Sequence, residues 1–362
     1  MNKVINRSIL PLLLMVSFGV FNDVYGQASC VEKLRSARTV YDEGRLHEIL
    51  DVLGKDCLGK KSTLNEEEKS EAYRLLILSY IYQDLPDKAD EAMLALLNAN
   101  PRFKVDPNTD PNELINLYQS FRTDPVFRYG GKVALSGPLV NINNTYTVNN
   151  FNDANGTYGV NLSFTFSGFI EKDFFDKKLT LRAEPHLSLY KMTYNATGFP
   201  QEEDPDIMTT TWETIENQSW LGLNILARYG ILDNWEFGKK IKPHLILGPS
   251  LQFLTKSSLS ATTGVEGDAG ATGKDIDLIN DQIRKSINLS TVVGIGFILP
   301  RKKMAFIADI TYNYGLINIT DKHTSPELTY KYGLVMSDMN LSSINISVGV
   351  MLDQYNPKKL TH

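Results

Sequence analysis

The chain has 362 residues, enough for two domains, and carries a mild net charge of −5. Without a basic stripe to neutralise phosphates, nucleic acid is excluded as the main partner. Beyond the N-terminus no apolar run reaches the ~20 residues of a membrane-spanning helix. An exported chain of this kind is then either soluble or a β-barrel, the closed sheet that satisfies its backbone in lipid without helices.

Residues 1–26 read as a signal peptide. Lys3 and Arg7 give a positive start, and Ile9 to Phe21 is an apolar run too short to span. Val24-Tyr25-Gly26 precedes a cut that leaves Gln27 first. A retained anchor helix is one alternative. A lipoprotein through Cys30 is another, although Gln27 stands where that signal takes an aliphatic residue.

Residues 27–122 read as a helical domain. Cys30 to Asp42 and Arg45 to Leu53 form a hairpin across Gly44. Asn65 to Gln83 opens with a capped, acidic first turn, and Ala72, Leu75, Leu76 and Tyr80 follow helical spacing. Pro86 to Asn98 follows, stopped by Asn100-Pro101. The pattern Ala72-Tyr73…Ser79-Tyr80…Ala89…Ala92…Asn100-Pro101 resembles a tetratricopeptide unit, with the first hairpin as a degenerate copy. A plain small bundle without a groove is the simpler reading. Cys30 and Cys57 fall at adjoining ends of an antiparallel hairpin in an exported chain, so a disulfide is expected, against two buried thiols. Asp106 to Glu113 mimics a calcium loop, but Pro111 and Leu117 occupy the positions of the required Gly and Glu. Asp110 as a helix cap, with Pro111 in the first turn and Glu113 completing a capping box, fits better. Tyr73, Tyr80, Tyr82 and Tyr118, with Phe103 and Phe121, exceed what so small a bundle must bury. They are the candidates for an exposed partner-binding groove.

Residues 123–362 read as an outer-membrane barrel. In Thr157 to Ile170, Tyr158, Val160, Leu162, Phe164, Phe166 and Ile170 share one strand face, and Gly159, Asn161, Ser163, Thr165 and Ser167 the other. Eight such runs cover about 126–140, 156–172, 178–195, 214–231, 242–255, 285–299, 303–319 and 340–354. Connections alternate between long and short, the mark of outer-membrane barrels, and an even strand count puts both barrel ends in the periplasm with the helical domain. A soluble β-sandwich is the alternative. Pro185 and Pro249 lie mid-strand in a sheet without edges, so β-bulges are expected there.

Around those prolines a family resemblance appears. Leu181-Arg-Ala-Glu-Pro-His-Leu-Ser-Leu-Tyr190, Lys242-Pro-His-Leu-Ile-Leu-Gly-Pro-Ser-Leu-Gln-Phe-Leu254 and Asp309-Ile-Thr-Tyr-Asn-Tyr-Gly-Leu-Ile-Asn-Ile319 resemble strands of the PorT-like outer-membrane β-barrel family of Bacteroidota. The resemblance covers about 127 to 354 and implies an outer-membrane barrel. One member group serves the type IX secretion system, but nothing in these residues assigns the chain to it. The tail Asn356 to His362 departs from barrels that end on an aromatic strand residue.

Parity places Arg128, Lys132, Arg182, Glu184, His186, Arg228, His244, Asp309 and Asp353 in the lumen. A barrel of eight strands is filled by its own side chains, so these are expected to pair with one another. Arg182 and Arg228 are the candidates for Glu184 and Asp309. A proton path or narrow specific pore is the alternative. Asp321-Lys-His-Thr-Ser325 offers the residue types of a lipid-modifying barrel enzyme, in a loop composition that yields such clusters by chance. No phosphate loop, metal spacing or dinucleotide fingerprint is present, so neither cofactor nor metal is expected. The sequence thus describes a two-domain α+β chain, a tetratricopeptide-like helical domain followed by an eight-stranded antiparallel transmembrane β-barrel, with no enzymatic role. Its expected partners are outer-membrane lipid and a protein of the periplasm or outer membrane.

Overall fold

The computed structural model describes residues 24–59, 62–146, 157–175, 178–197, 210–231, 241–265, 271–272, 276–301, 303–326, 328 and 335–360. Most of the signal-peptide segment lies outside the described residues. Val24 to Gly26 open the first helix. The chain divides into two compact units. One holds the described residues up to Pro125 together with those from Tyr355 onward, and the other is Val126–Gln354.

Among the described residues the first unit has five α-helices: α1 (Val24–Asp42), α2 (Ile49–Leu58), α3 (Glu66–Tyr82), α4 (Pro86–Ala99) and α5 (Asn112–Gln119). Gly44 turns the chain after α1 at φ 75°, a left-handed conformation that costs glycine little. Asn65 opens α3 with a full capping box. Its Oδ1 accepts the Glu67 and Glu68 amides at 3.0 and 2.9 Å, and the Glu68 carboxylate accepts the Asn65 amide at 2.9 Å. Ile49, Leu53, Ile77, Met93, Leu96, Leu97 and Leu114 form a dry core. Cys30 and Cys57 are joined, with Cα atoms 5.6 Å apart. The expected cap on α5 is absent. Pro111 precedes the helix, and the Asp110 carboxylate instead binds Arg74 at 2.5 Å and the Asp106 amide at 2.7 Å. Pro111 occupies the cap position, so Asp110 stands one residue too early and its carboxylate is engaged by the guanidinium instead.

The chain's last residues, expected with the barrel, belong to the helical unit. The Arg122 amide donates to the Lys358 carbonyl at 2.9 Å, the Leu360 amide to the Ser120 carbonyl at 2.8 Å, and Lys359 pairs with Asp90.

The second unit is one antiparallel sheet: β1 (Phe127–Asn144), β2 (Thr157–Val160), β3 (Ser163–Phe174), β4 (Leu179–Thr197), β5 (Thr210–Gly230), β6 (Lys242–Val265), β7 (Ala271–Thr272), β8 (Ile276–Asp277), β9 (Ile287–Pro300), β10 (Ala305–Gly315) and β11 (Asp338–Gln354). β1 pairs with both β3 and β11, so the sheet closes into a ring of eight staves, β2 and β3 together making one. Phe127 lies opposite Gln354, so both ends of the ring's chain fall at the end with the short connections. At the other end β5 and β6 continue as a long hairpin, with β7 and β8 beside it.

Leu223, Ile295, Phe306, Ile346 and Val348 are exposed on the outer face, while Lys132, Arg182, Glu184 and Asp309 are buried inside. Two expectations fail. Neither proline sits in a β-bulge. Pro185 pairs in register with Leu223, and Pro249 with Thr291. On the other side of each proline the ladder skips two residues without changing register, as between Ser167↔His186 and Ile170↔Ala183. A two-residue gap accommodates the missing N–H without bending the strand. The extra residue lies at Thr255, between Ser219↔Lys256 and Trp220↔Leu254. Tyr158 does not share the outer face of Phe164 and Phe166. Tyr158 pairs with Tyr194 and Val160 with Met192, whereas Phe164 pairs with Leu189. That spacing leaves one extra residue between β2 and β3, so parity flips and Tyr158 packs beside buried Met192 and Trp220.

Candidate functional site

The barrel lumen holds the greatest concentration of chemistry in the described residues. Inward parity on β1, β3, β4, β5, β6 and β10 aims charge from six strands at one axis. Two carboxylates organise it. Asp309 accepts from Lys132 Nζ at 3.0 Å, Arg182 Nη1 at 3.2 Å and His244 Nε2 at 3.1 Å. Glu171 accepts from Arg128 Nε at 2.8 Å, Arg182 Nε at 2.9 Å and Arg228 Nη2 at 2.8 Å. Arg182 thus ties the two centres together, and its guanidinium also lies 4.6 Å over the Phe169 ring. Glu184 pairs with Lys132 at 2.8 Å. Arg128 also binds Asp173, and Asp353 stands opposite Arg128 in the ladder. In low dielectric such charges persist only when paired, and here each guanidinium meets a carboxylate.

His186 is held apart from this network. Its Nε2 lies 3.0 Å from Gln252 Nε2, a donor, so that ring nitrogen accepts and the proton sits on Nδ1. Gln252 Oε1 in turn accepts from Asn288 Nδ2 at 3.0 Å. The cavity beside His186, Glu184, Lys132 and Asn224 measures about 30 Å³, room for one or two waters.

A second ionic centre lies toward the long-loop end. Arg284 makes a two-pronged contact with Glu216, Nε to Oε1 at 2.9 Å and Nη2 to Oε2 at 2.6 Å. Its Nη1 donates to Thr320 Oγ1 at 3.0 Å, and Ser257 Oγ donates to Glu216 Oε1 at 2.9 Å. Nearby, Leu259, Ile276, Leu278, Ile283, Leu328 and Met336 make a small apolar core from the loops.

Among the sequence-derived candidates, Arg182, Glu184, His186, Arg228, His244 and Asp309 all line the lumen. Arg228 binds Glu171 rather than Glu184 or Asp309. Sequence reasoning missed Glu171, although its odd number continues the inward parity of Ser163, Thr165 and Ser167. Arg284 gave no signal, because a loop residue has no strand parity. Tyr73, Tyr80 and Tyr118 lie along the edge of the helical core. Tyr73 donates to the Leu58 carbonyl at 2.7 Å and Tyr118 to the Phe103 carbonyl at 2.9 Å, both half-buried against the helical core. Tyr80 is half-buried under Lys88, Phe121 is buried, and only Tyr82 is exposed, at 50%. A thin bundle buries the ring edge and leaves the hydroxyl for a carbonyl, so Tyr73 and Tyr118 belong in part to the core. His323 meets Asp338 at 3.0 Å and its ring lies 4.0 Å from that of Tyr146, tilted by 43°, while Ser325 Oγ accepts the Leu328 amide. No serine–histidine pair is formed by these residues. Asp338, at the long-loop rim, also accepts from Asn318 Nδ2 at 2.7 Å. No cluster of metal-ligating side chains occurs among the described residues.

A family model for the outer membrane protein beta-barrel domain matches residues 118–321, more than half of the chain. Among solved structures, Neisserial surface protein A is similar at 15% identity, over 63% of this chain and 96% of that one, with a TM-score of 0.26. The outer membrane protein OprG from Pseudomonas aeruginosa is similar at 11% identity, over 64% and 97%, with a TM-score of 0.35. No curated protein matches the sequence.

Proposed function

The chain belongs to the outer membrane protein beta-barrel domain family, and on that premise we propose a non-enzymatic barrel that anchors a periplasmic helical interaction domain. It serves as an accessory or structural component of an envelope or secretion complex. One observation carries this reading. The lumen is largely spent on itself: Glu171, Asp309 and Glu184 are each paired with one or more of Arg128, Lys132, Arg182, Arg228 and His244, polar atoms such as Arg228 Nη1 and His244 Nδ1 are left without a partner among the described residues, and the cavity beside them holds little more than water. Neither a substrate nor a hydrated ion fits the cavity that the described residues leave beside this network.

The outer face is committed to lipid, which leaves the helical unit and the loop end for recognition. Short turns lie on the periplasmic side of outer-membrane barrels, and both ends of this sheet's chain lie with its short turns. That supports a periplasmic helical domain. Its two helical hairpins fit the tetratricopeptide-like reading, and such hairpins commonly present a partner surface. The PorT-like strands around Pro185 and Pro249 support an envelope complex as its setting.

Two measurements test the reading. In planar bilayers the full chain gives no steady nanosiemens-scale conductance. Ion-selective steps that shift in Arg182→Ala would establish a pore instead. A chain beginning at Thr123 behind the native leader inserts and stays heat-modifiable but loses co-purifying proteins. Full rescue of a deletion strain by that truncated barrel would move the partner site to the outer loops.

A further inference from the structure

On the outer face of the barrel a shallow, open apolar groove lies where β11, β1 and β3 meet. Its floor is Gly131 and Gly168, cross-strand partners in register. Its walls are Val133, Phe166, Val348 and Val350, all exposed.

The two floor glycines differ from others in the barrel. A Cβ on Gly130, Gly248 or Gly349 would meet a neighbouring backbone oxygen at 2.0 to 2.3 Å, so close strand packing demands glycine there. A Cβ on Gly131 would stand 3.6 Å from the Ser167 oxygen, and one on Gly168 would stand 3.8 Å from the Gly130 oxygen. Both are ordinary contacts. Packing does not require glycine at these two positions, and what they supply is depth.

The groove is continuous with the lipid-facing surface, so a lipid chain is the natural occupant. Four residues along β3 from Gly168, at ~13 Å by strand rise, stands Lys172. Lys172 is exposed, with its ammonium 5.8 Å from the centre of the Phe174 ring. Exposed Phe174 and Phe175 follow Lys172 closely in sequence, and exposed Tyr129 stands opposite Ile170 on the way to the groove, as aromatic girdles mark a membrane interface. One leaflet of hydrocarbon is about 15 Å thick. A cation at the interface and a groove within the adjoining hydrocarbon match the two halves of one phospholipid.

We propose that this face is a specific phospholipid site of the periplasmic leaflet, with an acyl chain in the Gly131–Gly168 groove and the phosphate on Lys172. The leaflet assignment rests on the orientation given above, and the site itself only on the barrel. Phe166 and the three valines supply apolar contact along the chain. The ammonium supplies the charge that distinguishes a phospholipid from a neutral lipid.

The test is native mass spectrometry of the full chain in detergent, titrated with phosphatidylethanolamine and, separately, with diacylglycerol, which lacks the phosphate. The wild-type chain retains phosphatidylethanolamine after bulk detergent is stripped. Gly168→Leu and Gly131→Leu fill the groove and weaken retention of both lipids about tenfold or more. Lys172→Gln weakens phosphatidylethanolamine several-fold and leaves diacylglycerol unchanged. Unchanged phosphatidylethanolamine binding in leucine variants that remain heat-modifiable overturns the proposal. So does a wild-type dimer that those variants abolish, because the occupant is then a second copy. Should the leucine variants not fold, Lys172→Gln decides, and equal binding by that variant overturns it. Partner capture by the helical unit is unaffected in every arm, so failure here leaves the anchor reading standing.

Discussion

The helical unit and the barrel solve the same problem in opposite directions. In the helices Ile77, Leu96 and Leu97 are buried and the pair Arg38–Glu71 lies near the surface. In the barrel Leu223, Ile346 and Val348 are exposed, and Arg182, Glu171 and Asp309 are buried. Side-chain chemistry is the same in both, and the solvent differs. Facing lipid, apolar groups gain nothing by turning inward, so polar groups take the interior and must satisfy one another there. The difference shows that burial alone does not identify a core. In this chain one interior is held by shape and the other by charge.

The sharpest way to break that comparison is to remove the carboxylate shared by three guanidiniums. Glu171→Ala leaves Arg128, Arg182 and Arg228 without their common acceptor. Breaking a buried pair of this kind costs about 3–5 kcal/mol. Denaturant unfolding of the folded band on an unboiled gel is expected to shift accordingly, with the helical unit unaffected. A shift below ~1 kcal/mol would mean that water, rather than charge pairing, holds the lumen.

The disulfide sharpens the comparison from the other side. Cys30 and Cys57 enclose 27 residues of sequence separation in the helical unit. Reduction, or the double change Cys30→Ser with Cys57→Ser, is expected to destabilise that unit by about 3 kcal/mol through the entropy of the unfolded chain. Circular dichroism of the helical transition reports it, while heat-modifiability of the barrel stays constant. A loss of barrel stability on reduction would show that the two units fold as one.

Most of the fold was legible because a β-barrel writes its period into every strand. Leu223, Asn224 and Ile225 alternate out, in and out as their types require. Parity also carried Arg182, Glu184, His186 and Asp309 to the lumen. It failed where one residue was added. Tyr158 has the composition of an outer-face residue, and only the shift between β2 and β3 turns it inward. Proline was over-read, since the absent N–H at Pro185 and Pro249 opens a gap and not a bulge. Arg284 was invisible because it lies in a loop that no period describes, and its partner Glu216 is 68 residues away on β5. The half-burial of the tyrosines was not legible, because a hydroxyl that reaches a carbonyl, as in Tyr73 and Tyr118, makes an aromatic serviceable at the edge of a thin core. Asp110 was taken for a cap because sequence shows the neighbours along the chain and not Arg74 across it.

The smallest effects lie on the surface of the helical unit, and they complete the comparison by showing what a charge is worth in water. Asn65 holds two amides at the start of α3, and Glu68 closes the box. Asn65→Ala removes the side-chain acceptor and leaves those amides to solvent, an expected loss of about 1 kcal/mol. Glu71→Ala removes the partner of Arg38, whose side chain is 51% exposed. Water and salt already screen that pair, so the expected cost is about 0–1 kcal/mol. Thermal unfolding at low and high salt separates the two. The Asn65→Ala loss persists in salt, because a hydrogen bond to a helix terminus needs no long-range field. The Glu71→Ala loss vanishes as the screening length contracts. A salt-independent loss above ~2 kcal/mol at Glu71 would place that pair in a desolvated setting, and the contrast drawn between the two interiors would then be one of degree.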